Sequence, residues 1–148
     1  MADIASDGPF SAFPGVDRWF AVVTGAGVVL TIDGRESVVT AGHPPVRFDG
    51  GVPAGCRLIE GPTRDLNLML KESGGVMREV RRDEEWRDAF TMRGLFSAVA
   101  GRWSALGETR SMGAHELLWD DTGTAADWRF ETNDRQAGPP GWWLGFTP

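Results

Sequence analysis

The sequence has few of the residues on which metal sites, disulfides and lysine-rich surfaces depend. It holds one cysteine, Cys56, two histidines, His43 and His115, and one lysine, Lys71. A single cysteine excludes an internal disulfide, and this fits a reducing cytoplasm. The two histidines stand 72 positions apart and no cysteine cluster accompanies them, so a three-histidine zinc site within one chain is excluded. We therefore expect neither a metal nor another cofactor.

Positive charge and long apolar runs are also scarce. The net charge of −6 argues against a nucleic-acid partner, because phosphates need a basic face. No apolar run reaches about 18 residues, the length of a membrane-spanning helix. The first ten residues, MADIASDGPF, lack the basic start and apolar core of a signal peptide. We expect a cytoplasmic protein with no membrane partner.

Short apolar runs separated by glycine and proline are abundant. Twenty glycines and nine prolines punctuate the chain, and β-branched runs recur between them, as in RWFAVVT at 18–24 and GVVLTI at 27–32. Asp33-Gly34 between two such runs predicts a tight β-hairpin. Strands at this spacing predict an all-β sandwich or barrel with little helix. We expect a single domain over 1–148, with a weak division near 83–92.

The segment 83–92, DEEWRDAFTM, differs from its surroundings. Its composition predicts a helical turn or two, with Asp83 as the N-cap. Cys56 lies inside an apolar strand, and we expect it to be buried as a small hydrophobe.

Several charged and polar residues stand inside or beside predicted strands. Arg18 opens the first strong strand, Arg57 lies within CRLIE, and Arg64 immediately precedes LNLML together with Asp65. Asn67 shares a face with Asp65 because strand side chains alternate with a period of two. These residues form either ordinary surface ion pairs or a group that points into the barrel. A buried guanidinium would need an aspartate or an anionic ligand as its partner.

Two stretches carry a family resemblance. DGPFSAFPGVDR at 7–18 and CRLIEGPTRDLNLM at 56–69 resemble the HutD/Ves family of bacterial cupin-like proteins. The run at 25–50 is similar to the hairpin-and-turn core of cupins. The resemblance implies a cupin-like jelly roll, with two cupin-like halves in one compact unit. It also implies a role in histidine utilisation or a stress response. Members of the family begin with a further N-terminal segment, so we expect a short variant or a chain that lacks its beginning.

The resemblance also suggests a site. Metal-binding cupins carry a glutamate seven residues before the first glycine turn, and this chain has Arg18 at that position before Gly25. Arg57 stands in the region of the last metal-binding histidine. Cations at these positions would repel a metal and would suit an anion. The implied site has seven residues. Arg18, Arg57 and Arg64 pair with the anion, Ser11, Asp65 and Asn67 supply hydrogen bonds that orient it, and Asp17 lies at the pocket mouth.

Three functions remain open. The first is metal-free binding of a small anionic metabolite, a carboxylate. The second is a metal-independent isomerase or hydrolase acting on a small acid, with Asp65 or Asp17 as its base. An arginine beside such an aspartate is expected to lower its pKa and make it a poor base, so binding is favoured over catalysis. The third is a protein-interaction module. Cupins often associate through sheet edges, which predicts a homodimer.

Overall fold

The structure, a computed structural model, describes residues 1–71, 74–135 and 138–148. In these ranges the chain forms sixteen strands and no helix, so the all-β prediction is confirmed. The same ranges contain no apolar helix of membrane-spanning length. The chain divides into two compact units, Met1–Ser73 and Gly74–Pro148. We call them the N-terminal and the C-terminal unit.

The N-terminal unit contains eight strands: β1 (Ala2–Ile4), β2 (Gly8–Pro9), β3 (Val16–Thr24), β4 (Val28–Ile32), β5 (Arg35–Val39), β6 (Val46–Asp49), β7 (Ala54–Leu58) and β8 (Thr63–Lys71). They form two four-stranded antiparallel sheets with the orders β1-β8-β3-β6 and β2-β7-β4-β5. Inward residues of both sheets share one core, for example Phe20 and Val22 of β3 with Val28 and Leu30 of β4. Cys56 belongs to this core and is buried, as expected.

The C-terminal unit repeats this arrangement. Its strands are β9 (Gly74–Glu79), β10 (Glu85–Trp86), β11 (Met92–Ser97), β12 (Gly101–Ala105), β13 (Glu108–Met112), β14 (Leu117–Asp120), β15 (Trp128–Glu131) and β16 (Gly141–Thr147). The sheet orders are β9-β16-β11-β14 and β10-β15-β12-β13. Adding eight to every strand number of the N-terminal unit gives these orders, so the chain contains a structural repeat. Two packed four-stranded sheets per unit are the general layout of a jelly roll.

Tryptophan dominates the core of the C-terminal unit. Trp86 stacks on Trp143 with ring centroids 5.2 Å apart, and Trp128 meets Trp86 edge-on at 5.8 Å. All three side chains are buried. Such rings bury large apolar areas, so this unit has its interior filled by few, large side chains.

The helical turn predicted for 83–92 is wrong. Glu85 and Trp86 form β10, which pairs antiparallel with Arg129 and Trp128 of β15. Asp83 has a φ of 62°, in the left-handed region, whereas an N-cap residue has an extended backbone. Burial of Trp86 in the tryptophan core outweighs the local preference for a helix.

Corresponding hairpins of the two units use different turn residues. The β4–β5 turn is Asp33-Gly34 with φ values of 48° and 75°, so the predicted hairpin is confirmed. The β12–β13 turn is Leu106-Gly107 with φ values of 50° and 79°. Asparagine and aspartate tolerate the left-handed region, but a leucine there crowds its Cβ against the following carbonyl. Leu106 is also 72% exposed and gains little from packing.

Replacing Leu106 with asparagine should therefore stabilise the protein. We expect Leu106→Asn to raise the free energy of unfolding by about 1 kcal/mol, and the reciprocal change Asp33→Leu to lower it by a similar amount. Urea denaturation of both variants measures the two changes. Equal stability of wild type and both variants would contradict the argument from backbone conformation.

Candidate functional site

The face of β3 that packs on the core carries a charged residue, Arg18, near the N-terminal end of the strand. Arg18, Phe20 and Val22 alternate with outward residues, and all three are buried, with Arg18 only 4% exposed. The opposing residues on β8 are Met69, Asn67 and Asp65 respectively. Cross-strand partners lie on the same face of a sheet. Strand pairing therefore brings an arginine, an asparagine and an aspartate together at the end of the N-terminal core.

Aromatic rings surround the Arg18 guanidinium. Its central carbon lies 5.2 Å from the ring centroid of Phe10, 5.8 Å from that of Phe13 and 5.0 Å from that of Phe48. Guanidinium groups are attracted to aromatic faces within about 6 Å of the centroid. The three rings favour the cation and separate it from bulk water.

Hydrogen bonding leaves much of the guanidinium unused. Arg18 Nη2 donates to Asn67 Oδ1 at 2.9 Å, and Nη1 donates to the Ser11 carbonyl at a long 3.4 Å. Asn67 Nδ2 in turn donates to Asp65 Oδ2. Arg18 Nε is buried and has no hydrogen-bond partner among the described residues. Nor does any described carboxylate form an ion pair with Arg18.

Asp65 is the second buried charge of this network. It is 1% exposed, and its Oδ1 has no hydrogen-bond partner among the residues that the structure describes. Desolvation raises the pKa of Asp65 from 3.8 to about 6, although Arg18 and the hydrogen bond from Asn67 act in the opposite direction. Arg18 lowers this pKa as expected, but loss of hydration outweighs the arginine's charge, so the net shift is upward.

These groups open onto a cavity of about 510 Å³. Ser11, Arg18, Asp65 and Asn67 line it, so four of the seven residues proposed from sequence come together. The remainder of the lining is mostly apolar: Met1, Ile4, Pro9, Phe10, Phe13 and Met69. A cavity of this volume is within the range of small-molecule sites, which combine an apolar wall with a few polar groups.

The other three proposed residues lie elsewhere. Asp17 is on the opposite face of β3 from Arg18 and accepts from Arg47 Nε at 2.8 Å. Arg64 is on the opposite face of β8 from Asp65 and pairs with Asp3 at 2.7 Å. Arg57 is exposed on β7. The cavity therefore contains one arginine where the sequence suggested three, since neighbouring strand residues point to opposite faces.

Sequence reasoning missed the aromatic lining of the site. Phe10 and Phe13 belong to the segment PFSAFP before β3, and Phe48 faces Arg18 from β6. Pairs of phenylalanines near an arginine that opens a strand were the available signal. No group of three or more His, Cys, Asp or Glu side chains with metal-binding geometry occurs in the described part of the chain.

The C-terminal unit has an arginine at the corresponding position. Arg93 of β11 pairs with Gly145 of β16, as Arg18 of β3 pairs with Met69 of β8. Its Nη1 donates to the Ala126 carbonyl at 2.6 Å and its Nη2 to the Trp86 carbonyl at 2.9 Å. The positions that correspond to Asp65 and Asn67 hold Gly141 and the buried Trp143. The second arginine is thus held by backbone carbonyls and tryptophan.

Comparison with known proteins identifies the family. The chain is an all-β protein of two similar units, and residues 1–137 match the HutD family. It therefore belongs to the HutD family, and the family prediction is confirmed. It is 27% identical to protein Ves of Citrobacter koseri over 122 residues, 82% of this chain and 63% of the relative. It is 36% identical over 69 residues to an uncharacterised 21.2 kDa protein in the hutC 3′ region of Pseudomonas putida, 47% of this chain and 36% of the relative.

Two solved structures share the fold over nearly the whole chain. HutD from Pseudomonas fluorescens SBW25 superposes with a TM-score of 0.80 at 28% identity, covering 98% of this chain and 75% of that one. A conserved protein of unknown function from Pseudomonas aeruginosa PAO1 gives a TM-score of 0.81 at 26% identity, with 99% and 77% coverage. The matched part of this chain spans 36% of the length of the Pseudomonas putida relative and 63% of the length of protein Ves.

The raised pKa of Asp65 makes stability depend on pH. Because the folded-state pKa is about 6 and the ordinary value is 3.8, the native state binds this proton more tightly than the unfolded chain. The contribution of the protonated Asp65 carboxyl to the free energy of unfolding is complete below about pH 4 and is lost as the pH rises through 6. We expect Asp65→Asn to stabilise the protein by about 1–2 kcal/mol at pH 7.5 and by much less at pH 4.5.

Chemical denaturation at both pH values checks this expectation. Asp49→Asn, at an exposed aspartate of β6, is the matched control and should not show the same pH-dependent gain. An equal gain from Asp65→Asn at both pH values would contradict desolvation of the carboxylate as the cause.

Proposed function

We propose that this chain binds a small carboxylate in the Arg18 cavity without a metal. In this proposal it acts as an accessory or regulatory protein of histidine utilisation or of a stress response in the bacterial cytoplasm. The observation that carries the proposal is the Arg18 guanidinium: it is buried, faces a cavity, and has neither a carboxylate partner nor an acceptor for Nε among the described residues.

The energetics favour an anion at this position. A buried charge without a partner costs several kcal/mol, and desolvation lowers the pKa of Arg18, although nearby Asp65 opposes this. A carboxylate placed against a guanidinium can accept two parallel N–H···O bonds. Arg18 uses only one N–H in a short hydrogen bond, so donors remain for such a ligand.

The repeat in the fold provides an internal contrast. Arg93 occupies the corresponding position, and two backbone carbonyls satisfy its terminal nitrogens. A protein that needs an arginine here only for packing can therefore hold it with its own main chain. Both arginines line a cavity and both have a buried Nε without an acceptor among the described residues, so the contrast lies in the terminal nitrogens, which in Arg18 make one short hydrogen bond, to the Asn67 amide.

The names of relatives connect the proposal to a pathway. One relative is described by its position beside hutC, and a structural relative is named HutD. The P. fluorescens HutD structure was obtained in a formate condition, and formate is the smallest carboxylate. These facts support a link to histidine breakdown and make carboxylates the first compounds to test.

A metal-independent enzyme is the second candidate, and Asp65 favours it. A carboxyl with a pKa of about 6 suits general acid–base catalysis near neutral pH. Its Oδ1 also has no hydrogen-bond partner among the described residues. In this alternative Arg18 would hold the acid and Asp65 would move a proton. Conversion of a bound carboxylate that stops in Asp65→Asn would favour the enzyme over the binding protein.

Removing the Arg18 charge should weaken carboxylate binding strongly. We expect formate, acetate, urocanate or a related carboxylate to raise the melting temperature of the wild type and to bind in calorimetry. Arg18→Gln should weaken the affinity by about thirtyfold or more, because a hydrogen bond to a charged group contributes about 2 kcal/mol.

Two other arginine variants serve as controls. Arg57→Gln changes an exposed arginine outside the cavity and should leave binding and stability unchanged. Arg93→Gln should lower stability, since two buried carbonyls lose their donors, and should not change affinity. Carboxylate binding by Arg18→Gln with the affinity of the wild type would refute the proposed site.

A further inference from the structure

A cavity of about 600 Å³ lies within the C-terminal unit. Residues of β13 and β14, which are edge strands of the two sheets of this unit, line it. Three tryptophans, Trp103, Trp119 and Trp128, and the turn residue Leu106 form much of its apolar wall. The volume is within the range of small-molecule sites, and the wall has the aromatic character that such sites favour.

Trp103 brings an unused hydrogen-bond donor to this cavity. Its ring packs edge-on against Trp128 with ring centroids 5.3 Å apart, and its Nε1 is buried with no acceptor among the described residues. Trp19, Trp142 and Trp143 also have an Nε1 of this kind, but they do not line the cavity. A buried N–H without an acceptor costs free energy, which a ligand oxygen placed against Trp103 recovers.

Two lining side chains are apolar and exposed. Leu106 is 72% exposed in the left-handed conformation of the β12–β13 turn, and Trp119 is 38% exposed on β14. The corresponding positions of the N-terminal unit hold Asp33 and Arg47. This architecture therefore accepts polar residues at both positions. An exposed leucine in a strained conformation beside a cavity points to contact with a ligand.

The charged groups of the lining carry both signs. Glu108 and Arg110 lie two residues apart on the same face of β13, and the Asp120 carboxylate interacts electrostatically with the Arg93 guanidinium. The other carboxylates that act on Arg93 are Asp88 and Asp127, which pair with Arg78 and Arg87. Each lining carboxylate thus has a guanidinium near it. An ion would lose hydration here without meeting an unopposed opposite charge, so the cavity favours an uncharged ligand.

We propose that this cavity binds an uncharged aromatic compound that carries a hydrogen-bond acceptor. The ring of the ligand stacks on Trp119 and contacts Leu106, and its acceptor receives the N–H of Trp103. The inference is independent of carboxylate binding at Arg18, because the two cavities share no described lining residue.

Acetophenone, ethylbenzene and benzoate form a matched set of probes. All three contain a benzene ring; acetophenone adds a carbonyl oxygen, ethylbenzene has no acceptor, and benzoate carries a charge. Heteronuclear NMR of the full chain with labelled nitrogen follows each indole N–H separately. We expect acetophenone to move the Trp103 signal downfield and to bind about fivefold more tightly than ethylbenzene, as one neutral hydrogen bond provides. Benzoate at the concentration that saturates acetophenone binding should leave this signal in place.

Three variants test the residues of the site. Trp103→Phe keeps an aromatic ring and removes the N–H, so acetophenone should lose its fivefold advantage over ethylbenzene. Leu106→Asn should weaken the binding of both compounds although it stabilises the free protein, because it removes an apolar contact with the ligand. Leu117→Asn is the matched control: this leucine is 57% exposed on β14 outside the cavity, and its replacement should change neither affinity.

Several results would overturn the inference. Absence of acetophenone binding at millimolar concentrations, or equal affinities for acetophenone and ethylbenzene, would refute the ligand class. A Trp103 signal that stays in place at saturating acetophenone would refute the donor, and unchanged binding in Leu106→Asn would refute the site. If Trp103→Phe does not fold, the wild-type Trp103 signal and the comparison of Leu106→Asn with Leu117→Asn still decide the question.

Discussion

The buried guanidinium of Arg18 determines how the residues that line its cavity in the N-terminal unit are arranged. Arg18 follows the same alternation that places Phe20 and Val22 in the core, so the fold cannot bury those residues without burying the charge. Three phenylalanine rings, the Asn67 amide and the Asp65 carboxylate are the side chains that compensate for this burial. Asp65 in turn lacks hydration and holds its proton more tightly than an exposed aspartate. The properties of the site thus follow from one strand position.

The structural repeat shows two ways to accommodate that position. The strand orders of the two units correspond strand by strand. Each unit has a buried arginine near the start of its third strand, Arg18 in β3 and Arg93 in β11. Around Arg93 the chain supplies backbone carbonyls and tryptophan rings, beside a cavity of about 540 Å³. Around Arg18 it supplies an amide on a side chain, smaller rings and a cavity. The same strand position is therefore held by two backbone carbonyls in one unit and mainly by one side-chain amide in the other.

The sequence predicted the longer strands because each combines β-branched residues with flanking glycine or proline. It did not predict β1, β2 and β10, which are short and depend on pairing with distant strands, or β13, which is polar and pairs with β12 in a tight hairpin. The same division applies to the site. Period-two alternation placed Asp65 and Asn67 on one face, and strand pairing joined them to Arg18.

Which face of a strand is buried was less accessible from the sequence. Asp17 and Arg64 directly precede Arg18 and Asp65, yet they point outward to Arg47 and Asp3. The sign of the Asp65 pKa shift was also beyond sequence reasoning, since it depends on how completely the carboxyl is desolvated.

The unequal distribution of tryptophan between the two units determines which unit dominates the intrinsic fluorescence of this protein. Six of the seven tryptophans belong to residues 74–148, and Trp19 is the single one in the N-terminal unit. Trp19 is on the opposite face of β3 from Arg18, with the Arg47 guanidinium 5.6 Å from its ring. Emission excited at tryptophan wavelengths therefore comes almost entirely from the unit that lacks the Arg18 cavity. Unfolding of the C-terminal unit will dominate a fluorescence trace, while events at Arg18 will leave it nearly unchanged.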